Sequence, residues 1–386
     1  MIPYGRQEVT EDDIARVVAV LRSDFITQGQ QTARFEEAIA AYCGAKHAVA
    51  ACNATAALHL ACRALSLGPG DWLWTSPITF VASSNCALYC GAKVDFVDID
   101  DATANLCPKS LAEKLALAEV AGRLPKVVVA VHLAGQSCDM LEISRLGKRY
   151  GFKIIEDASH AIGAEAEGCK VGACKHSDIT VFSFHPVKII TTAEGGCATT
   201  NQPLLADRMR LLRSHGISRD IEKMVKPSDE AWYYEQLELG YNYRMTEMQA
   251  ALGLGQLQRL DGYVERRNTL ASRYDIGLKL LPMRLPWQCR NGRSAFHLYV
   301  VRLKLEEIQL TRQDVFARMR ASGIGVNLHY IPVHLQPYYA KFGFMPGDYP
   351  VAEAYYREAI SLPLYPTLSE SDQDSVILTV AKLLSM

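Results

Sequence analysis

The chain has 386 residues, of which 41 are Lys or Arg and 42 are Asp or Glu, so its net charge at pH 7 is −1. This length predicts two compact domains with a large buried core, and the lack of a basic excess argues against nucleic acid or an anionic membrane as partners. No apolar run reaches about 18 residues and the first residues lack a signal-peptide core, so we expect a cytoplasmic protein without a membrane span.

The eleven cysteines are scattered along a chain that is too long to need disulfide staples, so we expect them to be reduced. Two pairs, Cys86 with Cys90 and Cys169 with Cys174, approach the spacing of metal ligands. Neither pair has a matching second pair, so the sequence predicts no metal site.

The amino-terminal residues 7–21 predict an amphipathic helix after an extended arm. Strand-like apolar runs then alternate with helix-like segments such as 111–118 and 140–150. The predicted strands are 48–51, 73–75, 94–98, 126–131, 153–155 and 179–184. This order predicts an α/β fold with a mostly parallel, doubly wound sheet and helices on both faces.

The second half of the chain predicts a smaller α/β domain. Residues 249–270 have the apolar periodicity of one long helix leaving the large domain. A strand at 296–303, a helix at 312–322 and a strand at 324–328 follow. We therefore divide the chain into an arm and large domain at 1–255 and a small domain at 256–386.

A phosphate site is predicted where the first strand gives way to a helix. The segment Cys52-Asn-Ala-Thr55 opens a run of good helix formers. The backbone N–H groups of Ala54 and Thr55, at the positive end of this helix, suit a dianionic phosphate, and the Thr55 hydroxyl adds a donor. The alternative is that Thr55 only caps the helix.

Asp157 follows a short buried strand, where the carboxyl ends of parallel strands face the ligand crevice of an open sheet. It is placed either to meet a ligand or to cap the next helix. His160, three residues later, is either a half-buried histidine or a contact to a cofactor ring or its phenolic oxygen.

Lys188 lies just past the last predicted strand, at the mouth of the sheet. A lysine at this place acts on carbonyls if it is neutral or already held as an imine by an aldehyde cofactor, and otherwise it is a solvated loop lysine. Pyridoxal phosphate needs a carboxylate for its ring nitrogen and a lysine for its aldehyde. Asp157 and Lys188 match that pair.

Several longer segments complete the pattern. They are 74–85, 131–136, 183–196, 213–216 and 240–251. With these segments the chain resembles the DegT/DnrJ/StrS family of nucleotide-sugar aminotransferases, fold type I pyridoxal phosphate enzymes, from Pro3 to beyond Pro363. It is most similar to members that aminate position 4 of a UDP-linked 4-keto-6-deoxy-N-acetylhexosamine on the route to pseudaminic acid.

The resemblance implies roles for the cofactor residues. Lys188 would hold the cofactor aldehyde as an imine, Asp157 would pair with the ring nitrogen, and His160 would lie beside the ring phenolate. Phe80 would stack on the ring. The phosphate would be held by Ala54, Thr55 and Ser183, and by Asn242 of a neighbouring subunit, which implies a homodimer with shared active sites.

The resemblance also implies substrate contacts. His329 and Tyr330 would close over the sugar nucleotide, although both rings could instead fill a domain interface. Arg244 would bind a carboxylate or diphosphate, or serve as a salt-bridge partner. The full set implied by the resemblance is Tyr4, Thr27, Gln28, Arg244, His329 and Tyr330.

The predicted reaction is a ping-pong transfer from L-glutamate to the 4-keto carbon, with pyridoxamine phosphate formed between the two halves. Relatives commonly have Pro where this chain has Ile189, which puts substrate preference in more doubt than cofactor binding. A 3-keto or dTDP-linked substrate remains open, as does a pyridoxamine-dependent sugar dehydratase, although such dehydratases carry His in place of Lys188. A non-enzymatic regulator or scaffold would be expected to lack the lysine or the aspartate.

Overall fold

A computed structural model describes residues 1–226, 228 and 230–385. The first nine strands are β1 His47–Ala51, β2 Trp72–Thr75, β3 Lys93–Phe96, β4 Val127–Val131, β5 Lys153–Asp157, β6 Glu165–Ala166, β7 Cys169–Lys170, β8 Ile179–Ser183 and β9 Gly196–Thr200. Seven of them form the central sheet, of order β1-β9-β8-β5-β4-β2-β3, in which β9 runs opposite to the other six. The predicted α/β fold is confirmed.

Helices cover both faces of this sheet. All five residues of β4 are buried; Val127, Val129 and Val131 belong to one apolar cluster and Val128 and Ala130 to another, as expected of a strand covered on both sides. The helices are α1 Glu11–Leu21, α2 Gln30–Cys43, α3 Ala54–Ala64, α4 Ala82–Tyr89, α5 Pro108–Val120, α6 Met140–Tyr150, α7 Pro203–Arg213, α8 Glu247–Leu257, α9 Leu260–Leu278, α10 Arg312–Ala321, α11 Pro337–Ala340, α12 Pro350–Glu358 and α13 Glu370–Leu384.

The carboxyl-terminal part has a sheet and an apolar core of its own. The remaining strands are β10 Ile217–Ser218, β11 Glu235–Gln236, β12 Met283–Arg284, β13 Gly292–Arg293, β14 Tyr299–Leu303 and β15 Ala359–Leu362. The sheet of this part has three antiparallel strands in the order β12-β14-β15, and α9, α10 and α13 supply buried residues to the same core. The boundary at residue 255 stays a prediction.

The structure corrects the predicted elements in three places. The predicted helix 249–270 is two helices, since α8 ends at Leu257 and α9 begins at Leu260. The predicted strand 324–328 is wrong: Ile324 bridges the amino-terminal arm while Asn327 bridges β15, so the segment is shared between two neighbours and builds no ladder. The first helix begins at Glu11, because the Thr10 side chain caps it there.

The amino-terminal arm is held by the carboxyl-terminal part of the fold. Ile2 N–H donates to Gly323 O, and the Gly325 and Leu364 N–H groups donate to the carbonyls of Ile2 and Tyr4. Tyr4 is thereby fixed close to His329, with ring centroids 5.7 Å apart. Within the described residues, no helix is long and apolar enough to span a membrane.

Candidate active site

A cavity of about 520 Å³ lies at the carboxyl ends of the parallel strands, a size typical of small-molecule sites. Ten of the fourteen predicted site residues line it. They are Tyr4, Ala54, Thr55, Phe80, Asp157, His160, Ser183, Lys188, His329 and Tyr330. The lysine and the aspartate on which the cofactor prediction depends therefore share one cavity.

Four predicted site residues lie elsewhere in the single chain. Thr27, Gln28 and Asn242 are exposed and Arg244 is half-buried, and none of the four lines the cavity in the described part of the chain. Gln28 lines a second cavity together with residues of α1, α2 and α8. Their roles stay predictions.

The first turn of α3 offers free backbone donors to the cavity. Asn53 caps the helix, its Oδ1 accepting the Ala56 N–H at 2.8 Å, so the alternative that Thr55 is the cap is wrong. The half-buried Ala54 and Thr55 N–H groups have no acceptor among the described residues. A helix amino terminus with free N–H groups fits a phosphate.

Gly196 of β9 makes the approach to this helix end possible. A Cβ atom at this position would lie 2.5 Å from the Ala54 nitrogen, which no side chain could occupy without moving the helix. Gly196 belongs to a segment that carries the family resemblance, but its contact with α3 cannot be predicted from the sequence, because it depends on the pairing of β9 with β1.

Asp157 is the buried last residue of β5, and both its carboxylate oxygens accept hydrogen bonds. Ser159 donates to Oδ1 through its N–H at 3.1 Å and its hydroxyl at 2.6 Å, while the Ser83 hydroxyl donates to Oδ2 at 2.6 Å. Among the described residues the next element after β5 is the strand β6 and no helix begins directly after Asp157, so Asp157 is not a helix cap.

The sequence prediction missed both serines. The spacing of Asp157 and Ser159 is that of a local Asx turn and could have been found. Ser83 gives no local signal, because it reaches Asp157 from 74 residues away.

Lys188 is a half-buried lysine on the loop after β8, not a solvated one. Burial lowers its pKa from 10.5 to about 8, although the nearby Asp157 carboxylate opposes the shift. A substantial fraction of this amine is therefore neutral near physiological pH, as nucleophilic chemistry requires.

Two neutral histidines face the lysine. Burial, helped by the charges of Lys188 and His329, holds the pKa of His160 well below its usual value. Burial lowers the pKa of His329 to about 3, again with a contribution from Lys188. His329 Nδ1 lies 2.7 Å from Ser361 Oγ, and His160 Nε2 lies 3.0 Å from Tyr330 Oη.

The donor set fits pyridoxal phosphate. Free helix N–H groups suit its phosphate, the Asp157 carboxylate suits its ring nitrogen, and a lysine of lowered pKa suits its aldehyde. This geometry defines an α/β enzyme site for a pyridoxal cofactor.

Comparison with known proteins gives the same class. Residues 7–381 match the DegT/DnrJ/EryC1/StrS aminotransferase family. The chain belongs to this family.

Two relatives match the chain over nearly its full length. The spore coat polysaccharide biosynthesis protein SpsC of Bacillus subtilis is 40% identical over 97% of this chain and 95% of its own. A UDP-4-amino-4,6-dideoxy-N-acetyl-beta-L-altrosamine transaminase of Campylobacter jejuni is 37% identical over 100% of this chain and 98% of its own.

Solved structures are similar over the whole chain. Helicobacter pylori PseC, an aminotransferase involved in the biosynthesis of pseudoaminic acid, has a TM-score of 0.91 at 30% identity and covers 100% of this chain and 99% of its own. A putative sugar aminotransferase, Spr1654 of Streptococcus pneumoniae, was solved in PMP and PLP forms with TM-scores of 0.90 and 0.89, at 31% identity and over 100% of this chain and 99% and 98% of its own. The protein is a pyridoxal phosphate-dependent sugar aminotransferase.

Proposed function

We propose that this enzyme transfers the amino group of L-glutamate to the 4-keto carbon of a UDP-linked 4-keto-6-deoxy-N-acetylhexosamine. The product is a UDP-4-amino sugar for a surface glycan of the pseudaminic acid type. The observation that carries the proposal is the shared cavity of Lys188 and Asp157. The names of the Campylobacter and Helicobacter relatives support the substrate.

The cofactor is held by residues from several elements. Ala54, Thr55 and Ser183 would hold its phosphate, and Phe80 would pack against its ring. Asp157 would stabilise the proton on the ring nitrogen. Bound in this way, the cofactor would supply an electron sink for the transfer of the amino group.

Lys188 moves the protons of both half-reactions. Its neutral amine takes the proton from the α-carbon of glutamate, and the same amine delivers a proton to the sugar carbon in the second half. A pKa of about 8 suits both tasks, because the amine accepts and releases a proton near physiological pH.

The substrate side of the cavity consists of Tyr4, His329 and Tyr330. All three offer hydroxyl or imidazole groups to sugar oxygens. Ser361 contacts Nδ1 of the neutral His329 ring, so Nε2 is left to the substrate. Nε2 donates or accepts a hydrogen bond according to which ring nitrogen carries the proton.

We also propose that the enzyme acts as a homodimer with shared sites. Thr27, Gln28 and Asn242 are exposed and lie off the cavity of their own chain, which is the arrangement required if they complete the site of a second copy. Asn242 then contacts the phosphate, while Thr27, Gln28 and Arg244 contact the sugar nucleotide.

A substrate panel tests the proposal. Purified enzyme is mixed with glutamate and UDP- or dTDP-linked 3-keto and 4-keto sugars, and products are read by mass spectrometry, with Lys188→Ala as the inactive control. We expect exchange of the oxygen for an amino group on the UDP-linked 4-keto sugar. Preferential amination of a 3-keto or dTDP-linked sugar would overturn the substrate assignment. Loss of water without amination would indicate the dehydratase.

A further inference from the structure

The Asp157 carboxylate is held by a chain of buried hydroxyl groups that the proposed mechanism does not use. Ser83 Oγ lies 2.6 Å from Asp157 Oδ2, and Thr79 Oγ1 lies 2.6 Å from Ser83 Oγ. Thr79, Ser83 and Asp157 are 2%, 0% and 5% exposed, so bulk water cannot replace these contacts.

When Asp157 is ionised, the donor and the acceptor of each of these hydrogen bonds are defined. A carboxylate only accepts hydrogen bonds, so the single Ser83 proton is donated to Oδ2. Ser83 Oγ must then accept the proton of Thr79. Thr79 itself lines the cavity beside Phe80, so the chain runs from the cavity wall to the carboxylate.

The two carboxylate oxygens are held from different parts of the fold. The Ser159 contacts to Oδ1 come from the turn that follows β5, whereas Ser83 lies in the first half of α4. Ser159 alone would leave the carboxylate free to rotate about its bond to Cβ. The Ser83 donor removes that freedom and stabilises the negative charge with a second charge-assisted hydrogen bond.

We propose that Ser83, supported by Thr79, is a positioning residue that orients the Asp157 carboxylate toward the ring nitrogen of the cofactor. This inference rests on the proposed role of Asp157. Without the Ser83 hydroxyl the carboxylate would turn away from the ring nitrogen and would stabilise the proton on that nitrogen less. The electron sink would be weaker, although no group that touches the substrate is removed.

Ser84 provides a matched control in the same helix. It is also fully buried, but its hydroxyl lies 3.0 Å from the Val81 carbonyl and 2.6 Å from Tyr339 Oη, neither of which contacts Asp157, Ser83 or Thr79 through that atom. Ser84→Ala therefore removes an equivalent buried hydroxyl without touching the proposed chain.

The test compares Ser83→Ala, Thr79→Val and Ser84→Ala, each loaded with pyridoxal phosphate. Stopped-flow absorbance gives the rate of the half-reaction with glutamate. We expect Ser83→Ala to be slower by about 10- to 100-fold, the loss typical of a buried hydrogen bond to a charge. Thr79→Val is expected to show a smaller loss in the same direction, and Ser84→Ala the wild-type rate.

A second readout is the pH midpoint of the visible absorbance of the bound cofactor. A ring that is less fully protonated is less positive, and the nearby nitrogen joined to Lys188 then keeps its proton to a higher pH. We therefore expect the midpoint to move upward in Ser83→Ala and to stay at the wild-type value in Ser84→Ala. Ser83→Thr, which keeps the hydroxyl, should restore both the midpoint and most of the rate.

The outcomes separate this inference from the proposed function. If wild type and Ser84→Ala react with glutamate while Ser83→Ala matches them in rate and midpoint, the positioning role is wrong. If wild type itself does not react, the proposed function fails first. Should Ser83→Ala not fold, an unchanged rate and midpoint in Thr79→Val overturn the inference.

Discussion

Tyr330 Oη lies 3.0 Å from His160 Nε2, and the other contact of the His160 ring decides which of these two atoms donates. The Ala134 N–H donates to His160 Nδ1 at 3.2 Å, so Nδ1 has no proton. The ring is neutral, because burial holds the pKa of His160 well below its usual value. Nε2 therefore carries the hydrogen and donates it to Tyr330, whose own hydroxyl proton remains available to a ligand.

The first prediction follows from this pair. Tyr330→Phe removes the acceptor and leaves the Nε2–H of His160 buried without a partner, at a cost of about 1–3 kcal/mol in the free energy of unfolding. Urea denaturation of the cofactor-free protein measures this loss. Tyr338→Phe, at a tyrosine that is 53% exposed, is the control and should be neutral. Equal stability of the two variants would show that the contact between Tyr330 and His160 does not stabilise the fold.

The second prediction concerns the pH dependence of Lys188. Only the neutral amine attacks an aldehyde, and a pKa lowered from 10.5 to about 8 makes the neutral form predominant above pH 8. Capture of pyridoxal phosphate by the cofactor-free protein should therefore rise through pH 8 and level off about one unit higher. Borohydride reduction at each pH, followed by peptide mass spectrometry, measures the Lys188 fraction. A rise confined to pH values above 10 would show an ordinary lysine.

The third prediction concerns the charge of Asp157. Asp157→Asn keeps the shape: its amide oxygen can accept from Ser159 and its NH2 group can donate to Ser83 Oγ, whose own proton then turns to Thr79, so the fold and its melting temperature should be nearly unchanged. The uncharged amide no longer pairs with a protonated ring nitrogen, and loss of a buried charge pair of roughly 3 kcal/mol slows the half-reaction with glutamate by about 100-fold or more. A folded variant with the wild-type stopped-flow rate would refute the role of this carboxylate.

The fourth prediction tests the phosphate site through Gly196. In Gly196→Ala the new methyl group would lie 2.5 Å from the Ala54 nitrogen, so the first turn of α3 must move. The displaced Ala54 and Thr55 N–H groups bind the phosphate less well, and loss of one hydrogen bond to a charged group, about 1.5–3 kcal/mol, predicts a loss of about 10- to 150-fold in affinity for pyridoxal phosphate. Fluorescence titration of the cofactor-free protein measures it. Gly68→Ala, where a Cβ meets nothing within 4 Å, should bind like wild type.

The sequence by itself determined the α/β class, most strands of the central sheet, and the residues with the required chemistry. Strand and helix patterns are local, and Ala54, Asp157 and Lys188 each follow a predicted strand, so the common edge of a parallel sheet brings them together. The reversed strand β9 was missed, because its sequence Gly-Cys-Ala-Thr-Thr has no strong apolar pattern.

Only the tertiary structure decided how these residues are held. Ser83 reaches Asp157 across 74 positions and Tyr330 reaches His160 across 170, and no pattern along the chain specifies which distant side chains will meet. The same holds for the segment 324–328, whose apolar residues predict a strand but whose backbone is divided between the amino-terminal arm and β15. The chemical groups that a site needs can be identified from the residues themselves. The partners of buried polar groups depend on packing, because hydrogen bonds act only at contact distance.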